Sequence, residues 1–276
     1  MNKIIYNINE QLNSVFAKKE RENLFSISSA GEFFLNLSKN LAGEKIEVAI
    51  SEKDFNLFGK KIFTPIKQNG VNVNYFLVES ENLSKNLEFD ALCSVIIAVG
   101  NDKLIQKAKT YAIENGKKCY FVPTTPYIEN LFAGAGDNSN LFAVIDLDVI
   151  EKASGEYFAE AYMSVMNKLT VLIDYKVNSF VSGESVDGLT FERVKSAINV
   201  MAVLPKFENY KTAILGAQLF LTILNAKTNA LLGSGADVLV KALDVVAPNV
   251  KGSTIQAIAF EKLAKISKIF IRLQFF

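Results

Sequence analysis

Residues 95–126, VIIAVGNDKLIQKAKTYAIENGKKCYFVPTTP, leave few folds open. The apolar run Val95–Val99 ends in Gly100. A polar start at Asn101-Asp102 opens a helical pattern with Leu104, Ile105, Ala108 and Tyr111–Ile113 on its apolar side, and Gly116 stops it. A second apolar run, Cys119–Val122, ends in Pro123-Thr124-Thr125-Pro126. Strand, tight turn, helix and strand make one βαβ unit, which requires parallel strands joined by a right-handed crossover. Parallel sheets of this kind bind ligands outside the carboxyl ends of their strands. Here those ends are Gly100–Asp102 and Pro123–Pro126.

The flanking sequence continues the alternation. Residues 1–26 are mixed. Ser28 or Ser29 caps a helix expected to run through Ala42, with Phe33, Phe34, Leu37 and Leu41 at helical spacing. Lys45–Ile50 reads as a strand, Phe55–Gln68 as an amphipathic helix closed by Asn69-Gly70, and Val71–Val78 as a strand followed by Glu79. Ser80–Phe89 reads as a loop with a short helix, Tyr127–Asn140 as a loop or hairpin, and Leu141–Ile145 as the last strand. From about Glu151 the period becomes helical and stays so, with helices expected over 157–182, 188–204, 210–225, 233–246 and 252–270. The expected architecture is an α/β domain over 1–150, with a mainly parallel Rossmann-like sheet, followed by an all-helical domain over 151–276.

Composition narrows the chemistry. The chain contains no histidine, which removes the commonest general base and excludes Ser-His or Cys-His nucleophiles and any His-ligated zinc or iron site. A formal net charge of +1 gives no electrostatic case for nucleic acid or an anionic membrane as partner. Cys93 and Cys119 fall in strand-like apolar surroundings and read as buried, reduced thiols. No apolar run is long enough to span a bilayer, and the first residues lack a signal-peptide apolar core. The expected location is the cytoplasm.

Four stretches together resemble the dehydroquinate synthase-like superfamily, and within it the glycerol, glycerol-1-phosphate and iron-containing alcohol dehydrogenases. Ile96–Asp102 with Lys107–Lys109 resembles that superfamily's strand, glycine-rich turn and Ala-Lys helix. Val122–Pro126 resembles its VPTTP strand end. Ala143–Ile150 resembles the strand leading into the helical half, and Lys168–Glu184 the long first helix there. The resemblance covers residues 26 to 262 and implies a dehydroquinate synthase-like fold. It further implies NAD(P) across the glycine-rich turn, and one Zn or Fe ion held by an Asp and two His of the helical half to polarise the substrate hydroxyl.

The matched positions depart from that pattern. The Gly-Gly-Gly turn is Gly100-Asn101-Asp102 here, so side chains fill the space where backbone N–H groups approach a pyrophosphate, and Asp102 adds like charge. Capping of the helix by Asn101 or Asp102 is the favoured reading of these residues, with cofactor binding as the other. The metal-binding Asp aligns with Ser164 and the two His with Val238 and Lys251; a register shift of one offers Asp237. Serine, valine and lysine do not make a divalent site. Lys251 is the one candidate catalytic cation, able to hold an anion or a polarised oxygen, although a lysine snorkelling to solvent from a helix start is favoured. Thr124 and Thr125, at a strand end, and Glu79, about where dinucleotide folds carry a ribose-binding acid, complete the candidate cofactor contacts.

The expectation is therefore a degenerate, C-terminally shortened member of the superfamily, without a bound metal and with a binding or structural role. Its expected partners are a small molecule or nucleotide in the cleft between the halves, and a second copy of the chain. The alternative is an active NAD(P)-dependent glycerol, glycerol-1-phosphate or alcohol dehydrogenase with a rearranged site.

Overall fold

Every strand pairing in the computed structural model is parallel. The described residues are 22–41, 43–78, 87–132, 139–183, 188–202 and 210–228, with isolated positions 246, 250, 254, 258 and 261. They fall into two units, Met1–Ala153 and Ser154–Phe276.

In the first unit the order of elements is β1 (Phe25–Ile27), α1 (Ala30–Ser38), β2 (Lys45–Ser51), α2 (Glu52–Asp54), a π-helical turn (Phe55–Gly59) and α3 (Lys60–Gln68). There follow β3 (Asn72–Val78), β4 (Val95–Gly100), α4 (Asp102–Glu114), β5 (Lys118–Pro123), β6 (Leu141–Ile145) and α5 (Leu147–Ile150). The strands form one sheet in the order β1-β6-β5-β4-β2-β3. Because β2 connects outward to β3 whereas β4 connects the other way to β5, the order reverses between β2 and β4. In open parallel sheets ligands bind outside the carboxyl ends of the strands at such a reversal, here the crevice position between β2 and β4.

All six residues of β4 are buried, as expected of a strand covered on both faces. Val95, Ile97 and Val99 join Ile46, Val48 and Ile50 of β2 in a core with Phe34 of α1 and Ile62, Phe63 and Ile66 of α3. Period-two alternation sends Ile96, Ala98, Cys119 and Phe121 to the other face, where α4 buries Leu104, Ile105, Ala108 and Ala112. Both cysteines are free and fully buried.

The structure adds β1, which the mixed sequence of residues 1–26 did not announce; its three residues pair with Ala143–Ile145 of β6. Helix α1 ends at Ser38 rather than Ala42, because the chain turns through Asn40 and Leu41, whose N–H groups bond back to Leu37 and Ser38. Gly43, at φ 84°, lies in the left-handed region in the approach to β2.

Asp146 fixes the sheet's far side. Its carboxylate is fully buried and accepts from Ala30 N–H at 2.8 Å, from Asp148 N–H at 3.1 Å and from Val149 N–H at 3.4 Å. Lys61 of α3 approaches the same carboxylate at 3.0 Å. One side chain thus caps α5, receives the first N–H of α1 and anchors α3. Gly31 permits the close approach of α1 to α3, since a Cβ there would lie 2.8 Å from the Lys61 carbonyl oxygen.

The second unit contributes α6 (Gly155–Ser182), α7 (Gly188–Ala202) and α8 (Tyr210–Thr228), each packed on the other two. Its described elements are all helical. The helices expected over 233–246 and 252–270 lie outside the described residues, save for a few isolated positions. Among the described residues no helix is long and apolar enough to cross a membrane.

Candidate functional site

The βαβ unit brings the sequence-predicted residues to one end of the sheet. Gly100 pairs in register with Pro123, and Thr124 N–H donates to the Gly100 carbonyl at 2.9 Å. Asn101 is the N-cap of α4: its backbone is extended and its Oδ1 accepts from Leu104 N–H at 3.1 Å. Of the two residues offered as caps, Asn101 does the capping and Asp102 occupies the first turn.

Thr124 and Thr125 are only 7% and 5% exposed.

A polar cluster lies behind the turn. Asp102, Gln106 and Lys109 share one face of α4 at helical spacing. Gln106 Nε2 donates to Asp102 Oδ1 at 3.2 Å and to the Asn130 carbonyl at 2.8 Å, tying the helix to the segment after β5. Burial pushes the Asp102 carboxyl above its ordinary range; Glu129 adds to that, whereas Gln106, Lys109 and Lys103 oppose it. Lys109, 5% exposed, is drawn down to about 8 by burial, against the pull of Asp102.

A lysine whose folded-state pKa is depressed destabilises the fold while it is charged. The folded state sheds that proton above about pH 8, while the unfolded chain holds it up to the ordinary lysine value, so stability rises between the two. The size is on the order of 3 kcal/mol. Denaturation curves of the wild type should therefore gain stability from pH 8 to 10.5 relative to Lys109→Met, in which this contribution is absent.

The strand beside the Gly100 turn on its other flank is β2, and its end carries residues that sequence reasoning did not single out. Ser51 Oγ donates to Asp54 Oδ2 at 2.8 Å and accepts from Asp54 N–H at 3.0 Å. Burial lifts the Asp54 carboxyl, against the Ser51 bond and Lys53. Glu52, between them, is exposed. Glu79 lies outside the described residues; the strand it follows, β3, is separated from β4 by β2.

In the helical unit, Ser164 sits on α6, 2% exposed, and its Oγ accepts from Gln218 Nε2 of α8 at 3.2 Å; the same amide donates to the Ala161 carbonyl at 2.9 Å. Asn167, Lys168, Thr222 and Asn225 are buried as well. A neutral hydroxyl engaged by a glutamine is none of the thiolate, imidazole or carboxylate donors that hold zinc or iron, so Ser164 does not fit a metal-ligand role. Val238, Asp237 and Lys251 lie outside the described residues. Among the described residues, no three His, Cys, Asp or Glu side chains gather closely enough to hold an ion.

The chain shares the fold of solved iron-containing alcohol and glycerol dehydrogenases, the dehydroquinate synthase-like fold: a parallel sheet with a strand-order reversal, followed by helices. An alcohol dehydrogenase from an archaeal halo-thermophilic Red Sea brine pool superposes with a TM-score of 0.63 at 11% identity, over 85% of this chain and 70% of that one. Glycerol dehydrogenase from Schizosaccharomyces pombe does so with a TM-score of 0.62 at 16% identity, over 89% and 75%. By sequence, the glycerol-1-phosphate dehydrogenase [NAD(P)+] of Picrophilus torridus is 23% identical over 163 residues, covering 54% of this chain. The match spans 47% of that relative, about half its length. No family model matches the chain.

Proposed function

We propose that this chain retains the dinucleotide-binding half of the alcohol and polyol dehydrogenase architecture as a binding protein and does not carry out metal-dependent hydride transfer. The observation that carries the reading is Ser164. A metal-dependent dehydrogenase polarises its substrate oxygen with a cation held by anionic or imidazole ligands. The position that resembles the carboxylate ligand is instead a serine bound by Gln218 inside the helical core. The chain has no histidine to compensate.

Binding is supported at the crevice between β2 and β4. There the Gly100 turn, the Thr124 and Thr125 hydroxyls and the Ser51–Asp54 strand end converge on the carboxyl edge of the sheet. The ligand class follows from the relative's NAD(P): adenine dinucleotides, with Thr124 and Thr125 as hydroxyl donors to phosphate and Glu52 as acceptor for a ribose hydroxyl. An acid in that place favours NAD over NADP, whose 2′-phosphate it repels.

Thermal-shift titration tests the proposal. NAD(H) alone should raise the melting temperature, by an amount that grows with the logarithm of its concentration. Adding zinc or iron should change nothing, and glycerol, glycerol 1-phosphate and simple alcohols should not reduce the nicotinamide. Joint stabilisation by nucleotide and metal, accompanied by turnover, would replace this reading with that of an active dehydrogenase.

A further inference from the structure

We infer that β3 is the interface of a reversible two-fold dimer, in which the Asn72–Val78 strands of two copies of this chain pair antiparallel and join their sheets into one.

β3 ends the sheet, and among the described residues it pairs with β2 alone. Its outer edge presents backbone N–H and C=O groups that another strand can satisfy. Sheets that stay single blunt such an edge by shortness, charge, proline, a bulge or a cover. The opposite edge is blunted by shortness, since β1 has three residues. β3 has seven. From Val71 to Val78 there is neither a charge nor a proline. Its pairing with β2 runs residue by residue from Asn72 to Val78 without a bulge. Nor are its side chains covered: Phe76 and Leu77 are 39% and 52% exposed. By period-two alternation they lie on opposite faces of the sheet, so an added strand gains an apolar neighbour on each.

The edge suits a second copy of itself. A two-fold axis brings each residue near its own counterpart, so a charged edge repels itself, and this one carries no charge. With the axis at Tyr75, the middle residue, Val73 falls opposite Leu77 of the second copy, and Asn74 opposite its Phe76. The contact is small. Seven residues span about 23 Å. Pairing over that length buries roughly less than the 1,200 Å² at which stable complexes begin. The dimer is accordingly weak, with a dissociation constant on the order of 10–100 µM.

Sedimentation velocity of the full chain, from about 2 to 500 µM, is the test. The weight-average mass should climb from one chain toward two and stop there. Asn74→Lys and Asn74→Glu, at an exposed position beside the axis, should each weaken association at least about tenfold, because like charges meet across it. Mixing the two variants in equal amounts should restore association to at least the wild-type level, which a folding defect would not allow. Leu77→Lys, also at an exposed side chain, takes their place in the weakening test if they fold poorly. A wild type that stays monomeric at the highest concentration overturns the inference, and so does association that continues past two copies. So does a dimer unchanged in the folded variants, or folded Lys and Glu variants that remain monomeric when mixed.

Discussion

Replacing Asp146 with alanine should cost the N-terminal unit about 3–5 kcal/mol, the largest stability loss expected from a single polar substitution among the described residues. The buried carboxylate accepts three backbone N–H groups, from Ala30, Asp148 and Val149, and faces Lys61 at 3.0 Å. Alanine leaves those N–H groups in a dry environment and leaves the ammonium without its buried partner. Asp146→Asn retains one of the two acceptor oxygens and should lose roughly half as much. Lys61→Ala should lose only about 1 kcal/mol, because the Lys61 side chain is 36% exposed and water already shares its charge. Urea unfolding followed by far-UV circular dichroism ranks the three. Equal losses in the alanine and asparagine variants would mean that the charge, and not the backbone capping, is what matters at this position.

If the Gly100 turn takes part in the proposed binding, placing glycine at both 101 and 102 should raise affinity for NAD⁺ at pH 7.5 by about tenfold or more. Two changes combine. The carboxylate of Asp102, in the first turn of α4, leaves and takes a like charge with it. The Asn101 side chain also releases Leu104 N–H, which it holds at 3.1 Å, so the first turn of α4 can present its free donors to a phosphate. The cost is small, since glycine itself serves as an N-cap within a few tenths of a kcal/mol of asparagine. Titration calorimetry reads the gain directly. An unchanged affinity would mean that the turn takes no part in binding and that the threonines and the β2 end must account for any ligand.

Much of the fold was legible because β4, α4 and β5 obey local rules. A fully apolar run marks a strand buried on both faces, Asn101 marks a helix start, and Gly116, at φ 62°, marks its stop. Strand order was not legible. Nothing in the sequence says that β4 inserts beside β2 rather than beside β3, so the acid expected near the turn was Glu79, whereas the neighbouring strand end carries Ser51, Glu52 and Asp54. The partners of Asp146 were also out of reach, since its bond to Ala30 spans 116 residues. Lys109 left a usable signal: it lies one turn beyond Ile105, on the apolar side of α4, where a charged residue is out of place unless the fold receives it. At position 164 the sequence shows a serine where the resembled family carries a carboxylate, and the structure adds the glutamine bonded to it.

The decisive quantity is how much zinc and iron the full chain retains when purified without chelator from metal-supplemented cells and measured by elemental analysis. A scaffold whose ligand position is a serine engaged by glutamine should emerge with trace metal only, in both the presence and the absence of NAD⁺. Stoichiometric transition metal that survives dialysis would contradict that account and return the chain to the working dehydrogenases.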